Sequence, residues 1–364
     1  MLFEIRPNLE QSKVFDGLNK FLIEVMLATL EGREVDETNL PAGLCVAISE
    51  NEPSQTAVAS LVAALLALSE GQMQALRSTL ALNASPCIFL SDLAAPLPAI
   101  PENVFSALKT LAVHLFGRTA KLKGVELACG ECIDDHYARF RKNDIPGNGN
   151  LCCVCGTEPL AQIRAGVNES EQWRGPYDHL LAKDRYPLFG VHPKNLLPIC
   201  VTCNAKAKLV KDLLLNEHGN RRLSFSPWTE HAALAEIRVL VDDTDELFPR
   251  VVVEFISAEP DRQEKLNTWD AVFNIKSRVE GEFQSLKEKI SEDARASNDQ
   301  EFLARLKEQA RARKTEERLT SFNYWRARVY AAICKMPLAS REALRIVVGP
   351  PLEADPEMDA LFGL

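Results

Sequence analysis

The sequence predicts an α+β protein of more than one domain, and three observations carry that expectation. At 364 residues the chain is longer than one ordinary core organises. Apolar residues recur at helical spacing over most of its length, while a few short β-branched runs are bounded by Gly, Pro and Ser. Two Cys-x-x-Cys pairs, Cys152 with Cys155 and Cys200 with Cys203, mark a central segment too small to build its own core.

Composition narrows the class. At 46 % hydrophobic and 26 % charged, this is the profile of a soluble globular protein. The most apolar stretch, residues 57–68, is too short and too alanine-rich to span a bilayer, so no membrane partner is expected. The opening residues lack the basic and apolar regions of a signal peptide. Ten cysteines that include two metal-spaced pairs point to a reducing, cytoplasmic setting. A net charge of −9 argues against nucleic-acid binding by the whole surface. Basic residues nonetheless cluster at Arg139, Arg141 and Lys142, at Lys206, Lys208 and Lys211, at Arg221 and Arg222, and between Arg305 and Arg318.

In chain order, residues 1–120 read as an N-terminal α/β domain of unassigned role. Residues 8–30 place Val14, Leu18, Phe21, Leu22 and Val25 on one helical face. Residues 43–49 and 87–91 are short strand-like runs, 55–68 and 71–82 are buried helices, and a helix over 102–116 follows a proline-rich break. A lead-in helix over 121–141 and a turn-rich exit over 144–150 precede the cysteine segment, and together they delimit a module over 121–220. Residues 221–350 combine strands over 222–228 and 237–256, the latter a hairpin, with helices over 262–290 and 297–334 that form a helical hairpin. The default for those charged helices is a packed pair with solvated faces; the alternative is a DNA-tracking strip at Arg305, Arg311, Arg313 and Lys314, or a docking surface for a partner. Residues 351–364 form a proline- and acid-rich tail.

The chemistry concentrates between residues 151 and 208. Four thiolates in two close pairs suit a closed tetrahedral Zn²⁺ site, each pair spanning one edge. Asp178-His179, Asn195 and Asn204 lie between and just after the pairs. A histidine titrates near neutral pH and can act as general base, while Asp and Asn oxygens suit a hard ion such as Mg²⁺ or Mn²⁺. Lys183, Lys194, Lys206 and Lys208 surround these positions, either as phosphate contacts or as a solvated face. Cys129 and Cys132 form a further close pair: a second metal site, or two thiols on one helix face. Cys45, Cys87 and Cys334 read as core, and His192 as a loop residue.

The ordered set Cys152, Cys155, Asp178, His179, Asn195, Cys200, Cys203 and Asn204 resembles the HNH endonucleases, the zinc-clipped branch of the ββα-metal nucleases. The resemblance covers roughly a sixth of the chain closely. It implies a hairpin carrying Asp-His, a loop carrying Asn, and a helix opened by the second Cys pair, all around a structural Zn²⁺. It also implies His179 as general base, Asp178 and Asn204 as ligands of one Mg²⁺ or Mn²⁺, and Asn195 as the residue that orients the histidine loop. Asn204 stands where the family's last histidine is usual. The family's products carry 5′-phosphate and 3′-hydroxyl ends. The stretch DHLLAKDRYP…NLLPICVTCN looks most like stand-alone HNH effectors of prokaryotic antiviral defence, some of which pair with an ATPase subunit. DNA is the implied substrate, with RNA the alternative, and double-strand cleavage calls for a homo-oligomer or two successive events. The competing reading is a zinc-stabilised nucleic-acid-binding or scaffold protein without catalysis.

Overall fold

The Ser12 hydroxyl accepts the Phe15 N–H and starts helix α1 (Lys13–Glu31), which ends at Gly32 with φ 66°. Its buried face carries Val14, Phe15, Leu18, Phe21, Leu22 and Val25. The computed structural model describes residues 1–350 except 4, 6–8, 10, 82–84, 142–148, 169–170, 233–235 and 243–249. The tail, most of the turn-rich exit and the acidic turn of the C-terminal β-hairpin lie outside the described residues.

Helices α2 (Leu44–Ser49), α3 (Glu52–Leu66), α4 (Glu70–Ala81), α5 (Pro86–Ser91) and α6 (Glu102–Gly117) follow. The strand-like runs at 43–49 and 87–91 are therefore helices, and the described part of the first 120 residues is helical rather than α/β. Each of those runs is too short to display a period. Their starts decide them: Gly43 turns at φ 81° ahead of α2, and Ser85 caps α5 with Pro86 at its first position.

The lead-in is two helices, α7 (Lys123–Cys129) and α8 (Ile133–Arg141). Gly130, at φ 64°, ends the first. Glu131 then turns inward, where its carboxylate accepts the Ser12 hydroxyl and the Val14 N–H and pairs with Arg139. Strands β1 (Tyr177–His179) and β2 (Leu196–Pro198) pair antiparallel, with His179 opposite Leu196. A seven-residue π-helix, Thr202–Lys208, follows directly. No strand forms over 222–228.

The chain divides into two compact units. One holds Met1–Leu234 and Ala258–Phe273, the other Ala235–Ser257 and Asn274–Leu364. The domain boundaries expected near residues 120 and 220 both fall inside the first unit. That unit closes with α9 (Pro260–Phe273).

In the second unit, β3 (Glu236–Asp242) and β4 (Arg250–Ile256) pair along their full length. Around them fold α10 (Ile275–Glu282), α11 (Leu286–Ala294), α12 (Asp299–Thr315), α13 (Asn323–Ile333) and α14 (Leu338–Val348), with β4 against α10 and β3 against α13. The two expected long helices are broken: Asn274 and Phe322 adopt left-handed conformations at φ 52° and 64°. Asp293 joins α11 to its neighbours by accepting from Arg313 on α12 and Tyr330 on α13. Arg305 pairs with Glu301. Two members of the supposed DNA-tracking strip thus bind carboxylates of their own unit. No helix among the described residues is long and apolar enough to cross a membrane.

Candidate metal centre and the Asp-His hairpin

The first cysteine pair sits on a tight knuckle. The Gly156 N–H reaches back to the Cys152 carbonyl at 2.9 Å. Gly156 holds φ 65°, a conformation that favours glycine, and a Cβ there would stand 2.7 Å from the end of the Leu2 side chain, which would have to move. The second pair follows β2, with Cys203 inside the π-helix. The Sγ atoms of Cys152 and Cys203 are 4.0 Å apart, those of Cys155 and Cys200 3.9 Å, and all four lie within 4.8 Å of one another. A tetrahedron with metal–sulfur bonds of about 2.3 Å has edges of about 3.8 Å, so the set fits one ion.

The surroundings agree with that fit. The Cys200 N–H lies 3.4 Å from Cys152 Sγ, and the Cys203 N–H 3.4 Å from Cys200 Sγ. Thr157 donates its hydroxyl to Cys155 Sγ at 3.1 Å. These donors point at the sulfurs, as the outer contacts of a thiolate centre must. Burial among like groups pushes the Cys152 and Cys203 thiols well above their ordinary range, and a cation is what allows four such sulfurs to ionise together. This is a buried four-cysteine cluster able to hold a structural metal. Among the described residues it is the one such group of His, Cys, Asp or Glu.

The cluster brackets the hairpin, with Cys152 and Cys155 before β1 and Cys200 and Cys203 after β2. His179 ends β1, and its Nε2–H donates to the Gly190 carbonyl at 3.0 Å. A carbonyl only accepts, so the proton sits on Nε2 and the Nδ1 lone pair is left open. The ring meets Phe116 in a T-shaped contact with centroids 4.6 Å apart, and the Lys183 amine lies over the Phe116 ring. Burial, helped by Lys183, lowers the imidazole to about 3, so it is neutral at physiological pH. The ring is enclosed, with 8 % of the residue exposed. Gly190 is pressed against α6: a Cβ there would stand 2.7 Å from that of Ala112.

Asn195 is fully buried and ties the intervening loop to itself. Its Oδ1 accepts the Leu181 N–H at 2.8 Å, and its Nδ2 donates to the carbonyls of Leu181 and Phe189 at 3.0 and 2.9 Å. Asp178, one step before the histidine, binds Lys208, whose amine lies 2.6 and 2.8 Å from its two oxygens. Asn204 lies half-exposed on the π-helix, where its carbonyl accepts the Leu209 N–H in an i→i−5 bond. Among the described residues its side-chain amide makes no hydrogen bond. The structure joins Asp178 to Lys208 and does not join it to Asn204.

The lysines separate. Lys206 is exposed, Lys183 and Lys194 are half-buried, and Lys208 is 3 % exposed with its ammonium turned inward. Lys208 is therefore no phosphate contact in this form, a correction that follows from its partner Asp178. Some members of the other basic clusters are engaged internally. Lys211 donates to the Ala271 carbonyl, Arg221 to those of Ala95, Phe89 and Asp92, and Arg141 to that of Trp173. His192 is a loop residue that accepts the Lys194 N–H.

Cys129 and Cys132 do not share a helix, because Gly130 breaks it between them, and they join no metal group among the described residues. Cys45, Cys87 and Cys334 are half-buried rather than core. Sequence reasoning missed the Asp178–Lys208 pair, the Gly190 carbonyl and Phe116. The four-residue step from Asn204 to Lys208 was a signal that both belonged to one turn; nothing local marked Phe116.

No family model, no curated protein and no solved structure matches this chain.

Proposed function

We propose that this chain is a metal-dependent HNH-type endonuclease that hydrolyses phosphodiester bonds of DNA. The observation that carries the reading is the geometry of His179: its proton is fixed on Nε2 by the Gly190 carbonyl, and its Nδ1 lone pair is left to act. In the reaction Nδ1 takes a proton from the attacking water. Asn195 keeps the loop that carries Gly190, and hence the imidazole, in one orientation. Asp178 and Asn204 would hold one Mg²⁺ or Mn²⁺, which supplies positive charge for the developing phosphorane oxygens and the departing 3′ oxygen. Zn²⁺ at Cys152, Cys155, Cys200 and Cys203 is the structural ion of the proposal. Lys183, Lys194 and Lys206 are its phosphate contacts. A role as an effector of antiviral defence, with an ATPase or other protein subunit as partner, follows from the resemblance alone.

A second reading has its own support. Asp178 is held by a lysine and His179 is enclosed, as suits a zinc-stabilised binding or scaffold module without catalysis. A supercoiled-plasmid assay with Mg²⁺ or Mn²⁺ separates the two, comparing the protein with His179→Ala and repeating the comparison on RNA. Cleavage by the first and not the second supports the nuclease. Intact substrates of every form, with the zinc site filled and partner proteins supplied in extract, favour the binding module.

A further inference from the structure

The carboxylate beside the histidine is already occupied. The Lys208 ammonium lies 2.6 and 2.8 Å from the Asp178 oxygens, 2.6 Å from the His179 carbonyl and 3.3 Å from the Leu180 carbonyl. An ammonium has three N–H donors, so this group has no capacity left over. Both side chains are sealed, at 4 and 5 % exposure. A carboxylate that deep needs a positive partner, and removing one member of such a pair is strongly destabilising. A carboxylate with two backbone carbonyls is also the kind of oxygen set that hard divalent ions take.

We propose that the Asp178 carboxylate and the carbonyls of His179 and Leu180 form the entry site for a divalent cation, with Lys208 as its resident placeholder. The ion enters by exchange with the ammonium. The inference rests on the nuclease reading and adds a latch to it: with Lys208 in place the chain takes up divalent ion poorly. The latch also has a place to move. Lys208 is the last residue of the π-helix, and the next residue, Leu209, adopts φ 48° and ψ −115°, a conformation that branched side chains rarely hold. Leu209 and Val210 are 63 and 94 % exposed, so the turn is held chiefly by two backbone bonds, Leu209 N–H to the Asn204 carbonyl and Lys211 N–H to the Lys208 carbonyl. Relaxing Leu209 shifts the residue that delivers the ammonium.

The test is Mn²⁺ binding followed by electron paramagnetic resonance on the zinc-loaded full chain, in the parent protein, Lys208→Met, Lys208→Arg and Lys208→Met with Asp178→Asn. Zinc content and circular dichroism report folding. The expected result is binding about tenfold or more tighter in Lys208→Met, little change in Lys208→Arg, and loss in the double variant. Thermal melting at micromolar Mn²⁺, below the level that drives exchange in the parent, gives the second readout: the ion raises the midpoint of Lys208→Met and leaves the parent's nearly still. Equal affinity in parent and Lys208→Met overturns the latch while leaving the nuclease reading intact. Absence of Mn²⁺ binding in every form overturns both. Should Lys208→Met fail to fold, amine acetylation of the parent mapped by mass spectrometry decides the matter. Lys208 then goes from protected to reactive on adding millimolar Mn²⁺, and unchanged protection overturns the exchange.

Discussion

Trp269 donates its indole N–H to the Val154 carbonyl, 3.0 Å away, at the middle of the first cysteine knuckle. The residue is 2 % exposed, so the bond is made in the dry. Trp269→Phe keeps a ring but leaves that carbonyl unsatisfied and part of the site unfilled. We expect a loss of about 1 to 3 kcal/mol, with faster zinc transfer to a chromogenic chelator. An unchanged melt together with an unchanged release rate would show that α9 does not support the knuckle.

Gly190 and Ala112 form a contact with no slack. Gly190→Ala places two methyl carbons at 2.7 Å, and the loop that orients His179 must shift. The expected cost is about 1 to 3 kcal/mol. Adding Ala112→Gly on α6 opens the space, and the double variant regains most of the loss. Absence of that rescue in urea unfolding would mean the strain lies elsewhere.

Asn195 makes three bonds to backbone that no solvent reaches. Asn195→Ala orphans one N–H and weakens two carbonyl acceptors, at about 2 to 4 kcal/mol. Asn195→Asp retains the acceptor but not the donor, and is expected to be no better. If the protein cleaves nucleic acid, both variants lose rate beyond the loss of folded protein, because the Gly190 carbonyl no longer holds Nε2. Activity that tracks only the folded fraction would assign Asn195 a purely structural role.

His136 gives a pH signature independent of the hairpin chemistry. It is fully buried, with Nε2–H donating to the Leu9 carbonyl and Nδ1 accepting from Tyr177. Burial lowers it to about 4. The unfolded state binds the proton more readily, so this stability is complete above the ordinary value near 6.5. It is lost as pH falls from there to about 4, to a total of about 3 kcal/mol. His192, also lowered to about 4, and His179, lowered to about 3, act in the same direction. Urea midpoints at pH 7.5 and 5 should fall clearly in the parent and less in His136→Gln. Equal slopes would remove His136 from the account.

The four-cysteine cluster was legible because its signal is local: ligands with two residues between them bite one metal wherever the fold takes them. The long helices of the first unit were legible for a related reason, since α1, α3 and α6 show their period over several turns. What escaped the sequence depends on distant partners. The runs that became α2 and α5 have no period to show. The break at Asn274 lies where one compact unit gives way to the other, and no proline or glycine marks it. Lys208 reads as one more surface lysine until its partner, thirty positions earlier, is in place. The pair also explains why the residue types expected to hold a catalytic ion can be present without being assembled around one.

The return of α9 to the first unit sets an order of events during synthesis. The knuckle residues are made early, but the indole that covers them comes 115 positions after Val154. At ribosomal speeds of about 5 to 20 residues per second, that is a wait of roughly 6 to 23 seconds. For that interval the first cysteine pair, and for a shorter time the second, is exposed thiol in search of an ion. The nascent chain thus has its best opportunity to capture a metal ion, or to oxidise, before its last supporting helix has been translated.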